Sequence, residues 1–282
     1  MSITIITAFF DIGRGGWSVE NGHPSYLQRS NEKYLKYFSN LAQLENEMVI
    51  FTSQNYVDQI KAIRGDKPTT IIATCLDEKF ADFKQQISQI QSSETFREKI
   101  GPEQLKNPEY WSPEYVLVTN LKSYFVNKVI KDGLIHTHLA AWVDFGYCRN
   151  LKTLSNIKKW NFTFSESKVH FFSIKKTFEI TTENVQHAIF NNQAFIIGGV
   201  IVAAPEKWMD FSKLVYACQK KMLAQNIVDD DQGIYLQALL AQPDLFEIHY
   251  LGEDQWFDVF KRYDEKTNNN FSNRFKKLMG YF

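Results

Sequence analysis

The chain has 282 residues, 44% hydrophobic and 23% charged, which predicts one sizeable globular core with at most an appended subregion. Its 32 Lys and Arg balance 32 Asp and Glu, so no global field recruits a polyanion and nucleic acid is disfavoured as the main partner. The three cysteines, Cys75, Cys148 and Cys218, are far apart and lack CxxC spacing, which fits a reducing compartment and argues against a structural zinc site built on cysteine.

Residues 3–10, ITIITAFF, are β-branched and aromatic and break at DIGRGGW, predicting a buried first strand that runs into a glycine-containing loop. The start carries no basic leader and meets Asp11 and Arg14 too early for a secretory signal, and no run reaches the length of a membrane span. The expected location is cytoplasmic. NEKYLKYFSNLAQL has apolar positions at helical spacing, NEMVIFTS reads as a second strand, NYVDQIKAIRG as a short helix and TTIIATCL as a third strand. Such alternation implies parallel pairing with crossover helices.

After a polar stretch over 78–110, residues 113–133 predict one long helix and HLAAWVDFG a fourth strand. Residues 161–180 alternate polar and apolar, predicting antiparallel strands, and AFIIGGVIVAAPEKW reads as a strand interrupted by glycines. A helix over Phe211–Gln225, a second opened by VDDDQG and a last strand, FEIHYLG, complete the pattern. The fold class expected is α/β, an open mixed sheet, mostly parallel, flanked by helices, with a small antiparallel subregion. Aromatics at 15% either fill this core or line a groove.

An open α/β sheet binds its ligand outside the carboxyl ends of its strands, and the unusual stretches fall there. Asp144 ends the fourth strand and either holds a hard divalent cation or caps a turn in which Gly146 supplies the backbone freedom. His249, in EIHYLG, is either a metal ligand or a satisfied core histidine. Capping a helix needs one acid, whereas Asp229, Asp230 and Asp231 are three, and their repulsion predicts a raised pKa suited to a general base. Arg14 suits a diphosphate, Lys122 either joins it or forms a structural ion pair, and Gly198 and Gly199 mark a bulge or the close approach of another group.

In order, WVDFG, FIIGGVIVAAPEKW, DDQGIYLQAL and IHYLGEDQWF resemble the nucleotide-sugar glycosyltransferases of the GT-A (Rossmann-like) fold, particularly the glycogenin-like branch. Nearly the whole length, including TAFFDIGRGGW and WVDFGYCR, resembles the bacterial WlaTC/HtrL (YibB-like) family associated with surface-polysaccharide loci. The resemblance implies a hexosyltransferase moving a sugar from a UDP-type nucleotide-sugar donor, with Mn2+ or Mg2+, to a glycan or glycolipid acceptor such as lipooligosaccharide or capsule. It implies metal ligation by Asp144 and His249 and catalysis by Asp230, Asp231 and Gln232. Donor contacts fall to Thr7, Ala8, Phe9, Asp11, Arg14, Lys122, Trp142, Val143, Gly146 and Gly252, with Gly198 and Gly199 on the acceptor side. Gly146 stands where the pattern has its second acid, and GEDQW lacks the lysine of the closing motif.

The expected division is a catalytic domain over 1–252, with a donor half to residue 150 and an acceptor half after it. Residues 253–282 then form a basic, aromatic tail able to touch the inner face of an anionic membrane. Alternatives are a nucleotidyltransferase on a similar sheet and a catalytically silent nucleotide- or glycan-binding protein.

Overall fold

The computed structural model describes residues 3–264. Its sheet comprises β1 (Ile3–Phe9), β2 (Met48–Thr52), β3 (Thr69–Ala73), β4 (Leu139–Val143), β5 (Val169–Ser173), β6 (Val200–Ala203) and β7 (Phe246–Tyr250). The spatial order is β3-β2-β1-β4-β6-β5-β7. Every neighbouring pair is parallel except those made by β6, which runs against both β4 and β5. The fold is thus the expected mixed, mostly parallel α/β sheet.

The helices in chain order are α1 (Asn31–Leu41), α2 (Val57–Arg64), α3 (Leu76–Lys79), α4 (Ala81–Ser92), α5 (Glu94–Arg97) and α6 (Pro113–Asn120). They continue as α7 (Lys122–Lys131), α8 (Thr182–Phe190), α9 (Pro205–Ala224), α10 (Asp231–Ala241) and α11 (Val259–Arg262). All seven residues of β1 are buried because helices cover both sheet faces, as its largely apolar, β-branched run implies. Alternation sends Ile6, Ala140 and Trp142 into one core cluster and Ile5, Ala141 and Val143 into the other. Many rings, among them Trp160, Trp208, Phe125 and Phe171, are fully enclosed, so much of the aromatic excess is core filling.

Three expectations change. The single helix over 113–133 is two, α6 and α7, separated at Leu121. Beside the break the Asn120 carbonyl accepts from Gln219 Nε2 on α9 at 2.9 Å, a partner outside the helical ladder. Over 161–180 only β5 forms. Phe162 and Phe164 pack with Tyr263 instead of pairing in a ladder, and Thr181 caps α8 by accepting from the Asn184 amide. Finally, Gly198 and Gly199 precede β6 rather than interrupt it, and α9 begins at Pro205, where proline's fixed φ and missing N–H suit a first helical position.

Residues 253–264 join the same core, since Phe260 packs edge-on against Trp160 with ring centroids 4.9 Å apart. The rest of the expected tail, 265–282, lies outside the described residues. No described helix is long and apolar enough to cross a membrane. The reversal of β6 brings the glycines that lead into it to the sheet edge where β1 and β4 end, and pairing of Val143 with Val200 sets Gly199 beside Asp144.

Candidate functional site

A cleft of about 310 Å³ opens at this edge. Asp144 is fixed from below: its amide donates to the Gly199 carbonyl at 2.8 Å, and its Oδ1 accepts from Trp142 Nε1 at 2.7 Å. Lys122, the first residue of α7, lies 2.9 Å from the same Oδ1 and donates to Asp231 Oδ2 at 2.8 Å and to the Gly198 carbonyl at 2.9 Å. Three ammonium hydrogens therefore meet three acceptors. Burial acts to lower the Lys122 pKa, but the Asp144 and Asp231 carboxylates outweigh it, so the net shift is upward and the cation persists.

The packing leaves no room for a side chain at Gly198, where a Cβ would fall on the Asp231 carboxylate. Gly198→Ala should therefore displace Asp231 or cost about 1–3 kcal/mol or more through overpacking. A lowered urea midpoint with an unchanged slope would register this, and an unaltered midpoint with full ligand binding would contradict it. Gly146 has a comparable explanation. A Cβ there would meet the Tyr34 ring at 3.0 Å, so α1 occupies the place that a second strand-end acid would need.

The three acids divide their tasks. Asp230 is the N-cap of α10, accepting from the Gln232 amide at 2.9 Å, Asp231 takes the Lys122 ammonium, and Asp229 is buried with its carbonyl accepting from Asn120 Nδ2 at 2.9 Å. Glu109, 3% exposed, joins them electrostatically. Burial first, and Asp231's charge second, push Asp230 up to about 7. Burial and then Asp230 push Glu109 up to about 8, and burial likewise raises Asp229 and Asp231.

These shifts set a pH dependence with a definite sign. Between the ordinary carboxylate range and the raised values of about 7 and about 8, the folded chain holds protons that the unfolded chain has released. Stability from these groups is full below that window and falls as pH rises through it, with a slope approaching about 1.4 kcal/mol per pH unit for each group. Glu109→Gln, which has no proton to lose, should flatten the decline of the urea midpoint between the ordinary carboxylate range and about pH 8. An equally steep decline in the variant would contradict the assignment.

Cations ring the opening. Arg14, nearly buried, donates through Nη1 to the Tyr34 hydroxyl at 2.6 Å and through Nη2 to the Leu27 carbonyl at 3.2 Å, and its guanidinium carbon lies 5.0 Å from the Trp17 ring centroid. Burial lowers its pKa, with Tyr34 acting in the opposite direction. Arg149 sits between the rings of Tyr37 and Phe257, at 4.8 and 5.1 Å. Arg29 completes the set on the cleft wall. Planar guanidiniums held by rings and hydroxyls suit phosphate oxygens.

Of the expected positions, Ala8, Phe9, Asp11, Arg14, Lys122, Trp142, Asp144, Gly146, Gly198, Gly199, Asp230, Asp231 and Gln232 line this cleft. Four do not. Thr7 is fully buried within β1, and Val143 points into the opposite core cluster from Trp142 because strand side chains alternate. Gly252 lies in the turn after β7 at φ +110°, near Gln255 and Arg262. His249 is separated from Asp144 by the two strands between β7 and β4, and its Nε2 lies 2.8 Å from His170 Nδ1 instead. Burial and then His170 push His249 down to about 4. At the cleft, Asp144 is thus the candidate holder of a hard divalent cation. A single carboxylate suffices for that only when ligand phosphates complete the sphere, as magnesium-type sites allow.

Tyr34, Tyr115 and Glu109 were not anticipated. Tyr34 and Tyr37 are three residues apart on α1, a spacing that marks an aromatic ridge. Glu109 carries no local signal, since only the tertiary fold brings it to Asp230.

Among solved structures, the crystal structure of mouse xyloside xylosyltransferase 1 in its apo form is similar over 93% of each chain, at 11% identity and a TM-score of 0.41. That of 4-diphosphocytidyl-2C-methyl-D-erythritol synthase from Anaerococcus prevotii is similar over 98% of this chain and 96% of its own, at 11% identity and a TM-score of 0.34. Protein HtrL of Escherichia coli (strain K12) is 50% identical over 267 residues, 94% of each chain. With that relative, and with residues 1–265 matching the family described as "Bacterial protein of unknown function (HtrL_YibB)", the chain belongs to the HtrL_YibB family.

Proposed function

We propose that this chain is a glycosyltransferase that moves a sugar from a nucleoside diphosphate donor to a hydroxyl of a glycan acceptor. The observation that carries the reading is the Lys122 ammonium tying Asp144 and Asp231 together on the floor of a cleft rimmed by three guanidiniums. A departing nucleoside diphosphate needs cations around its phosphates, and the sugar, which gains positive charge as that bond breaks, needs a carboxylate near the anomeric carbon.

In this reading the diphosphate lies against Arg14 and Arg149, and the sugar sits beside Gly198 and Gly199, next to the Asp231 and Asp144 carboxylates that pack on them. The bond between the anomeric carbon and the phosphate oxygen breaks, and the electron pair leaves with the diphosphate. The acceptor oxygen forms the new bond, and its proton passes to Asp231, whose charge also favours the oxocarbenium-like transition state. Lys122 holds Asp231 in place and keeps it paired between turnovers. A divalent ion at Asp144, manganese or magnesium, would supply further charge for the departing diphosphate when bound.

The sequence resemblance supports UDP as the nucleotide and a surface glycan such as lipooligosaccharide as the acceptor. Thermal denaturation with UDP, GDP, CMP and their sugar conjugates, with and without Mn2+, tests this, because a ligand of the native state raises apparent stability by about 2.7 kcal/mol at a hundredfold excess over its Kd. UDP with Mn2+ should give the largest shift. A larger response to GDP or CMP would overturn the nucleotide assignment.

A further inference from the structure

At the far edge of the sheet, three side chains that the cleft does not use converge. Pairing of β5 with β7 sets His170 opposite Glu247 and Phe172 opposite His249, so both histidines and the glutamate project from one face. His170 Nδ1 and His249 Nε2 are 2.8 Å apart. The Glu247 carboxylate oxygens lie 3.6 Å from the first nitrogen and 3.9 Å from the second.

We propose that His170, Glu247 and His249 form a binding site for a zinc-class divalent ion, distinct from the cleft. Two imidazole nitrogens and one carboxylate are a donor set that zinc accepts, with a fourth position left for water. The nitrogen that must stay free is specified by the fold. His170 Nε2 lies 2.8 Å from the Ser165 carbonyl, an acceptor, so its proton resides there and Nδ1 presents its lone pair toward His249 and Glu247. A backbone carbonyl fixing the tautomer of a ligating histidine is the usual outer support of such sites.

Spacing and access agree with this. Bonds of about 2.0–2.1 Å in a tetrahedral site separate two ligand nitrogens by roughly 3.3 Å, so the rings need part by only about half an ångström. Without the ion, His249 Nε2 donates to His170 Nδ1, and binding requires the His249 proton to move to its other nitrogen. Phe164, Phe172 and Tyr263 surround His249, whereas Glu247 is about half exposed and leaves a route from solvent. The ion would clasp the outermost strand to its neighbour just before the chain turns toward Trp256 and Phe257, which line the cleft.

The test uses the tag-free full chain, stripped with chelator and titrated with Co2+, whose visible d–d bands report four-coordinate binding, and with Zn2+ by calorimetry. One equivalent should bind, Zn2+ should displace Co2+, and Glu247→Gln should weaken binding at least tenfold. His249→Gln should abolish the Co2+ bands, and Asp144→Asn should leave them unchanged. Because Glu247 is half exposed, its variant keeps the test valid if the histidine variant fails to fold. Absence of four-coordinate Co2+ bands, bands unchanged by Glu247→Gln, or bands removed by Asp144→Asn would each overturn the proposal.

Discussion

Lys122→Met should be the most damaging single change at the cleft, costing about 3–5 kcal/mol of stability and at least a hundredfold in turnover. The ammonium satisfies Asp144, Asp231 and the Gly198 carbonyl together, and it is 5% exposed, so water cannot take its place. Its removal leaves the buried Asp231 carboxylate without a cation, next to the partly exposed Asp144. Lys122→Arg keeps the charge but replaces a compact ammonium with a planar fork, and should recover stability only in part. Urea denaturation beside release of nucleoside diphosphate separates the two losses. A variant with wild-type stability would show that the ion pairs contribute nothing to the fold.

Asp231→Asn should do the reverse, preserving the fold while removing activity. The amide matches the carboxylate in shape, and its oxygen can still accept from Lys122 at the 2.8 Å position. It can neither take the acceptor proton nor stabilise positive charge on the sugar. Loss of one such electrostatic contribution is worth about 3 kcal/mol, on the order of a hundredfold in kcat, with KM little altered because ground-state contacts remain. A proportionate rise in KM at constant kcat would instead make Asp231 a binding residue.

The strands were legible where one rule governed them. β1, β2 and β4 are buried on both faces, so each appears as a largely apolar run, and the acids and glycines that follow β1 and β4 mark the sheet edge. Residues 161–180 misled because alternating aromatics such as Phe162 and Phe164 satisfy strand periodicity while packing on each other and on Tyr263 as part of an aromatic cluster. The carbonyl beside the break at Leu121 finds its partner in Gln219, about a hundred residues away, which no local pattern encodes.

The candidate site was partly legible for the same reasons. Asp144, Asp231 and the glycine pair were visible as oddities of composition, yet their connection through Lys122 is purely tertiary. Gly146 reads as a missing acid until Tyr34 is seen against it. His249 stands at the expected place in the sequence, but the order of the strands carries it to the opposite end of the sheet half from Asp144.

The most direct measurement of the central claim is the release of nucleoside diphosphate from a panel of nucleotide sugars by the full chain and by Asp231→Asn. The account predicts slow release from a UDP-sugar by the full chain, at least a hundredfold slower in the variant while the variant still binds UDP. Failure to turn over any nucleotide sugar, or equal release by both proteins, would contradict it.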